Sequence, residues 1–138
     1  MSRNYDPLTD EPYELQKALG YKITEWRQGF ARVELDLSDV HKNRQGFPHG
    51  GIYALLIDTA AGHSGSWVPE TEPRVGVMTL SLTVNFVSVP KGKKLIAEAH
   101  LTGGGRNNFF TSCELKDELG NMVATGSAAL SYRRKKES

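Results

Sequence analysis

The stretch His49-Gly50-Gly51-Ile52-Tyr53-Ala54-Leu55-Leu56-Ile57-Asp58-Thr59-Ala60-Ala61-Gly62-His63-Ser64-Gly65-Ser66-Trp67 decides the fold. It predicts one long helix running from His49 to about Trp67. Ile52, Leu55, Leu56 and Thr59 cover one arc, and Ala54, Ala60, Ala61, Gly62 and Gly65 supply small surfaces elsewhere. Asp58 is the only Asp, Glu, Lys or Arg in the stretch, so this helix has no charged solvent face. A helix apolar nearly all round is a buried one.

Working outward, the flanking segments read as strands. Upstream, Tyr21–Trp26 and Phe30–Leu37 alternate at period two around Gln28-Gly29, the pattern of a hairpin. Ser38 to Pro48 is a loop, with Asn43, Gly46 and Pro48 as turn formers. Downstream of Pro73, Val75–Val89 alternates, with Met78, Leu80, Leu82, Val84 and Phe86 on one face. Thr79, Ser81, Thr83 and Asn85 then fall on the other. Lys94–Leu101, Asn108–Lys116 and Met122–Tyr132 repeat the pattern. Residues 1–20 form a polar extension whose Glu11–Gly20 part reads as a short helix, with Pro12 near its start and Gly20 at its end. The order is helix, hairpin, long helix, four strands. An α+β fold follows, an antiparallel sheet wrapped around the one helix apolar enough to fill it.

With 138 residues, the chain reads as a single domain over residues 1–138. Apolar residues make up 38% and charged residues 24%, a globular mix rather than a disordered one. Seventeen basic against sixteen acidic side chains leave a net charge of +1, which argues against nucleic acid as a partner. A lone cysteine, Cys113, excludes an intrachain disulfide and any cysteine-rich metal site. The four histidines are scattered without a ligand spacing, so no metal is expected. Met1–Pro7 lacks the apolar core of a signal peptide, and Ile52–Gly62 is too short to span a bilayer. The expectation is a cytoplasmic protein that does not engage a membrane.

Chemistry concentrates at two points of the central stretch. His49-Gly50-Gly51 at a helix start exposes backbone N–H groups that no side chain shields, where the helix dipole favours a developing oxyanion. A tight turn opening a helix accounts for the same residues without chemistry. Asp58 has Ala54, Leu55, Ala61 and Gly62 as helical neighbours, none able to pair with its charge. It either finds donors elsewhere in the core or faces a cleft. Helix context alone leaves both readings open.

The combination is more specific than its parts. Asn43, His49-Gly50-Gly51 six residues later and Asp58 beyond it, then the polar-faced strand, Gly105-Arg106 and Gly120-x-x-x-Ala124, resemble the PaaI-like hotdog-fold acyl-CoA thioesterases. The resemblance covers nearly all of the chain after residue 20. It implies that the Gly50 N–H polarises a thioester carbonyl and that Asp58 is the nucleophile or the base for water. It also implies that Asn43 positions the thioester and that Thr79 assists the water or Asp58. His49, Gly51 and Arg106 are the substrate-binding candidates, Arg106 through coenzyme phosphates. No cofactor is implied beyond the coenzyme A of an aryl- or medium-chain acyl-CoA. The rivals are a hotdog hydratase/dehydratase and a non-catalytic acyl-CoA-binding protein.

Spacing adds an expectation about assembly. Gly50 and Asp58 are eight residues apart, roughly 12 Å along a helix. An oxyanion donor must come within about 3 Å of the carbonyl oxygen. One chain cannot supply both, so a homodimer or dimer of dimers (a homotetramer) with shared sites is expected, as the resemblance also implies.

Overall fold

The computed structural model describes residues 4–133. Nine segments follow in chain order: α1 (Glu14–Leu19), β1 (Lys22–Arg27), β2 (Phe30–Asp36), a 3-10 turn (Asp39–His41), α2 (Gly50–Ser64), β3 (Gly76–Phe86), β4 (Lys94–Gly104), β5 (Asn108–Asp117) and β6 (Met122–Arg133). The six strands form one sheet in the order β1-β2-β4-β5-β6-β3, antiparallel throughout. α2 packs across it against all six strands, so the helix is the filling that the sequence predicts.

The core forms where α2 meets the inner face of the sheet. Tyr53, Leu56, Ile57 and Ala60 from the helix meet Val33, Leu35, Leu95, Ala97, Leu115 and Val123, all buried. Thr111, Cys113 and Leu115 line the inner face of β5, as their alternation predicts. The small residues have a specific use at Gly126 of β6. A Cβ there would lie 2.6 Å from the Ile57 side chain, so glycine lets the helix settle close onto the sheet.

Three differences from the sequence reading bear on the packing and the site. α2 ends at Ser64 rather than near Trp67. Its last carbonyls are taken over by other groups: Trp26 Nε1 donates to the His63 carbonyl at 2.9 Å, and Tyr132 Oη to that of Gly65 at 2.8 Å. α1 occupies only Glu14–Leu19, leaving Pro12 in the segment before it. The third difference matters for the site. β3 is not a simple alternation, because its register against β6 steps from Thr79↔Leu130 to Ser81↔Ala129 and leaves Leu80 unpaired in a bulge. That extra residue reverses the parity. Thr79 therefore shares the helix-facing side with Leu82 and Val84, instead of the opposite one, while Met78 and Leu80 are exposed at 51% and 58%.

Of the two sheet edges, β1 is six residues long and β3 eleven. Among the described residues no helix is long and apolar enough to cross a membrane. Of the basic run Arg133-Arg134-Lys135-Lys136, the part after Arg133 lies outside the described residues.

Candidate active site

Asp58 sits half-buried in the second half of α2, where the helix passes over β3. The β3 bulge turns Thr79 towards it, and Thr79 Oγ1 donates a 2.6 Å hydrogen bond to Asp58 Oδ1. The carboxylate thus has one donor and keeps its remaining lone pairs for something else. Both residues line a cavity of about 240 Å³. Both readings open for Asp58 are met in part: it finds a donor in Thr79, and it borders a cleft.

The rest of that cavity is aromatic and polar. His63, five residues beyond Asp58, donates through Nδ1 to the Thr59 carbonyl at 2.9 Å, which leaves Nε2 to accept from the Tyr5 hydroxyl at 2.8 Å. Burial holds the His63 pKa below its ordinary value; the Thr59 carbonyl opposes the shift and the Arg74 charge adds to it. The imidazole is therefore neutral and structural at neutral pH. Arg74 lies with its guanidinium carbon 4.2 Å from the centre of the Tyr5 ring. Burial also raises the pKa of Tyr5.

The other expected residues lie elsewhere in the chain. Gly50 begins α2, eight residues before Asp58 and roughly 12 Å away along the helix axis. Its N–H makes no hydrogen bond among the described residues, and the Phe86 ring lies beside it, 3.1 Å from where a Cβ would stand. The Gly51 N–H is already taken: it donates to His49 Nδ1 at 2.8 Å, the side-chain cap of the helix. The Gly51 N–H is therefore spent on His49, and the Gly50 N–H is the one left without a partner beside it among the described residues. Asn43 uses its side-chain oxygen to accept from the Gln45 and Phe47 N–H groups at 3.0 and 3.3 Å, which shapes the loop before His49 and leaves its Nδ2 without a partner among the described residues. Arg106 borders a different cavity of about 300 Å³ with Trp67 and Tyr132. One chain therefore brings together Asp58 and Thr79, groups Asn43, His49, Gly50 and Gly51 at the far end of α2, and leaves Arg106 apart.

Among the described residues no three His, Cys, Asp or Glu side chains gather as metal ligands. Cys113 is buried in the core, and that burial, with Glu114 and Glu98 nearby, pushes its thiol up to about 12. It has no nucleophilic role. Tyr5, His63 and Arg74 are the residues that sequence reasoning missed. His63 lies five residues beyond Asp58, outside the i+3 and i+4 positions that make helical neighbours. Tyr5 and Arg74 reach the cavity only through tertiary packing, and no spacing announces them.

Comparison with known proteins gives this arrangement a context. Residues 45–124 match the model of the thioesterase superfamily. The chain is 31% identical over 86 residues to acyl-coenzyme A thioesterase THEM4 of Xenopus laevis, an overlap of 62% of this chain and 36% of that protein. It is 26% identical over 95 residues to acyl-coenzyme A thioesterase 13 of Mus musculus, covering 67% of this chain and 66% of that one. The chain therefore spans between about a third and two thirds of these two relatives. The PaaI protein of the E. coli phenylacetic acid degradation operon superposes with a TM-score of 0.76 at 20% identity, over 90% of this chain and 87% of that one. That likeness is one of fold, the hotdog arrangement of sheet and central helix.

Proposed function

The chain belongs to the thioesterase superfamily, and from that premise we propose that it hydrolyses acyl-coenzyme A thioesters of an aryl- or medium-chain acid. The observation that carries this reading is the Thr79–Asp58 hydrogen bond on the wall of an open cavity. Asp58 accepts a proton from water as the water oxygen attacks the thioester carbon. The carbonyl oxygen takes up the negative charge against an N–H at the start of a helix. The intermediate then collapses, the C–S bond breaks, and the coenzyme leaves as thiolate and takes up a proton. Thr79 holds the Asp58 carboxylate in position throughout. A thiolate is a good leaving group, so one carboxylate and one helix terminus suffice.

The oxyanion donor is Gly50 of a second copy. β3 is an edge strand with Met78, Leu80 and Phe86 exposed, and such an edge invites another strand. Along β3, Thr79 lies by Asp58 and Phe86 lies by Gly50. If β3 pairs antiparallel with its own copy so that Thr79 stands opposite the partner's Phe86, Asp58 faces the partner's Gly50. Two equal sites result from the two-fold axis. Asn43 acts from the same side as Gly50, its free amide hydrogens directed to the thioester. His49 holds the helix start that presents Gly50. Arg106, in its separate cavity, contacts the coenzyme's phosphates.

The test is release of free thiol from a panel of aryl and aliphatic acyl-CoAs. Turnover of at least one class supports the reading. Tight binding without turnover would instead identify a binding protein, and hydration of an enoyl-CoA a hydratase. The reaction as written needs no metal, so exhaustive chelation should leave the rate of thiol release unchanged; loss of rate restored by a divalent ion would contradict it.

A further inference from the structure

Asp58 and Thr79 account for one part of the cavity, and the hydrolytic step makes no use of the rest. From their hydrogen bond, α2 and β3 leave in opposite chain directions along the same wall. α2 contributes Thr59, Gly62 and His63 in ascending order; β3 and the segment before it contribute Val77, Gly76 and Arg74 in descending order. His63 is five residues beyond Asp58, about 7.5 Å along the helix. At that distance the amino-terminal segment closes the wall. Tyr5 is fastened by its hydroxyl to His63 Nε2 at 2.8 Å, its ring stacks on the imidazole with centroids 6.1 Å apart, and Arg74 lies against the same ring.

The charges along this wall are few. Among the described residues that line the cavity, Asp58 is the one carboxylic side chain and Arg74 the one guanidinium, and His63 is neutral. Among the described residues Arg74 has no carboxylate within ion-pair distance. A guanidinium seated on an aromatic face is oriented yet keeps its N–H donors for a ligand. Tyr5 spends its proton on His63, so its oxygen can only accept.

We propose that Arg74, seated on Tyr5, determines specificity by reading an acceptor oxygen, best met by a carboxylate, at the far end of the acyl group. The inference rests on the hydrolytic reading of Asp58 and adds the substrate class to it. Tyr5 and Arg74 meet the wall at His63, about 7.5 Å along the helix from Asp58, so the oxygen they read belongs to the distal end of the acyl chain or ring and not to the carbons next to the thioester. Phosphates of the coenzyme are separated from the sulfur by the whole pantetheine arm, well beyond this reach, so the acyl group and not the coenzyme is the partner.

The experiment compares phenylacetyl-CoA with 4-carboxyphenylacetyl-CoA on the wild type, Arg74→Met and Arg74→Lys. In parallel, non-hydrolysable thioether analogues of the pair are titrated by calorimetry. Wild type should favour the carboxylate substrate by about tenfold or more in kcat/KM and in Kd, the scale of one charge-assisted hydrogen bond. In Arg74→Met that ratio should collapse to about one, while Arg74→Lys, with its charge but no planar fork, keeps part of it. A wild-type ratio near one overturns the proposal. So does an Arg74→Met variant in which both substrates weaken by the same factor, for that would make Arg74 a contact of the coenzyme. The two arms separate the readings. A binding preference without thiol release from any acyl-CoA removes hydrolysis and leaves the role of Arg74; thiol release without preference removes only the role of Arg74.

Discussion

A carboxylate placed on an otherwise uncharged helix needs a donor and an opening from the tertiary structure, and Asp58 has Thr79 and the cavity. Replacing it by asparagine preserves size and removes the proposed base. Asp58→Asn should lower kcat at least about a hundredfold, the scale of a lost acid–base group, with folding intact. Thr79→Val, which loses the donor but not the shape, should cost less, about tenfold. Thiol release at saturating substrate measures both, and an Asp58→Asn rate within a few-fold of wild type would make the residue structural. A second residue-scale expectation concerns His63. Its pKa is lowered in the folded state from the ordinary 6.5, so on acidification the unfolded chain takes up the proton first. Stability is therefore full above about 6.5 and declines as pH falls through the window below it. Melting temperature followed from pH 7.5 to 5 should show that decline, reduced in His63→Gln. Asp58 was legible in the sequence because it is the lone charge of its helix. Tyr5 and Arg74 were not, since only the folded chain brings the segment around residue 5 onto α2.

At the scale of elements, period-two alternation predicted the strands and apolar continuity predicted α2, because both are short-range properties of side-chain direction. The bulge in β3 escaped that reading. Counting parity along Val77–Phe86 puts Thr79 on the face away from Leu82 and Val84, yet the unpaired Leu80 turns it to the helix. A bulge is a property of two strands in register, and one strand's sequence does not contain it. The resemblance alone named Thr79 as part of the site. The close seating of α2 on β6 is likewise a pairwise fact. At Gly126 an added Cβ would meet Ile57 Cγ2 at 2.6 Å and the Thr83 carbonyl at 3.2 Å, groups with little room to retreat. Gly126→Ala should therefore destabilise the fold by about 1–3 kcal/mol, as overpacked cores do. The urea midpoint is the measurement, and an unchanged midpoint would show that α2 can lift from the sheet without cost.

For the whole molecule, the decisive length is that of α2. Its N-terminal Gly50 and its Asp58 cannot address one carbonyl group from a single chain, and the long exposed edge at β3 offers the way to bring two chains together. A shared site has a consequence that a self-contained site does not. Asp58→Asn removes the proposed base, and Gly50→Val crowds the proposed oxyanion position, its Cβ meeting the Phe86 ring at 3.1 Å. Each variant alone is inactive in both of its sites. In a mixed dimer one site receives the intact Asp58 and the intact Gly50, and the other receives both lesions. Random reassortment of equal amounts makes half the dimers mixed with one working site in two, so roughly a quarter of wild-type activity should return. Native mass spectrometry confirms the exchange, and thiol release measures the recovery. Exchange without recovery would mean that each chain completes its own site, and the register proposed for β3 against its copy would fall with the shared site.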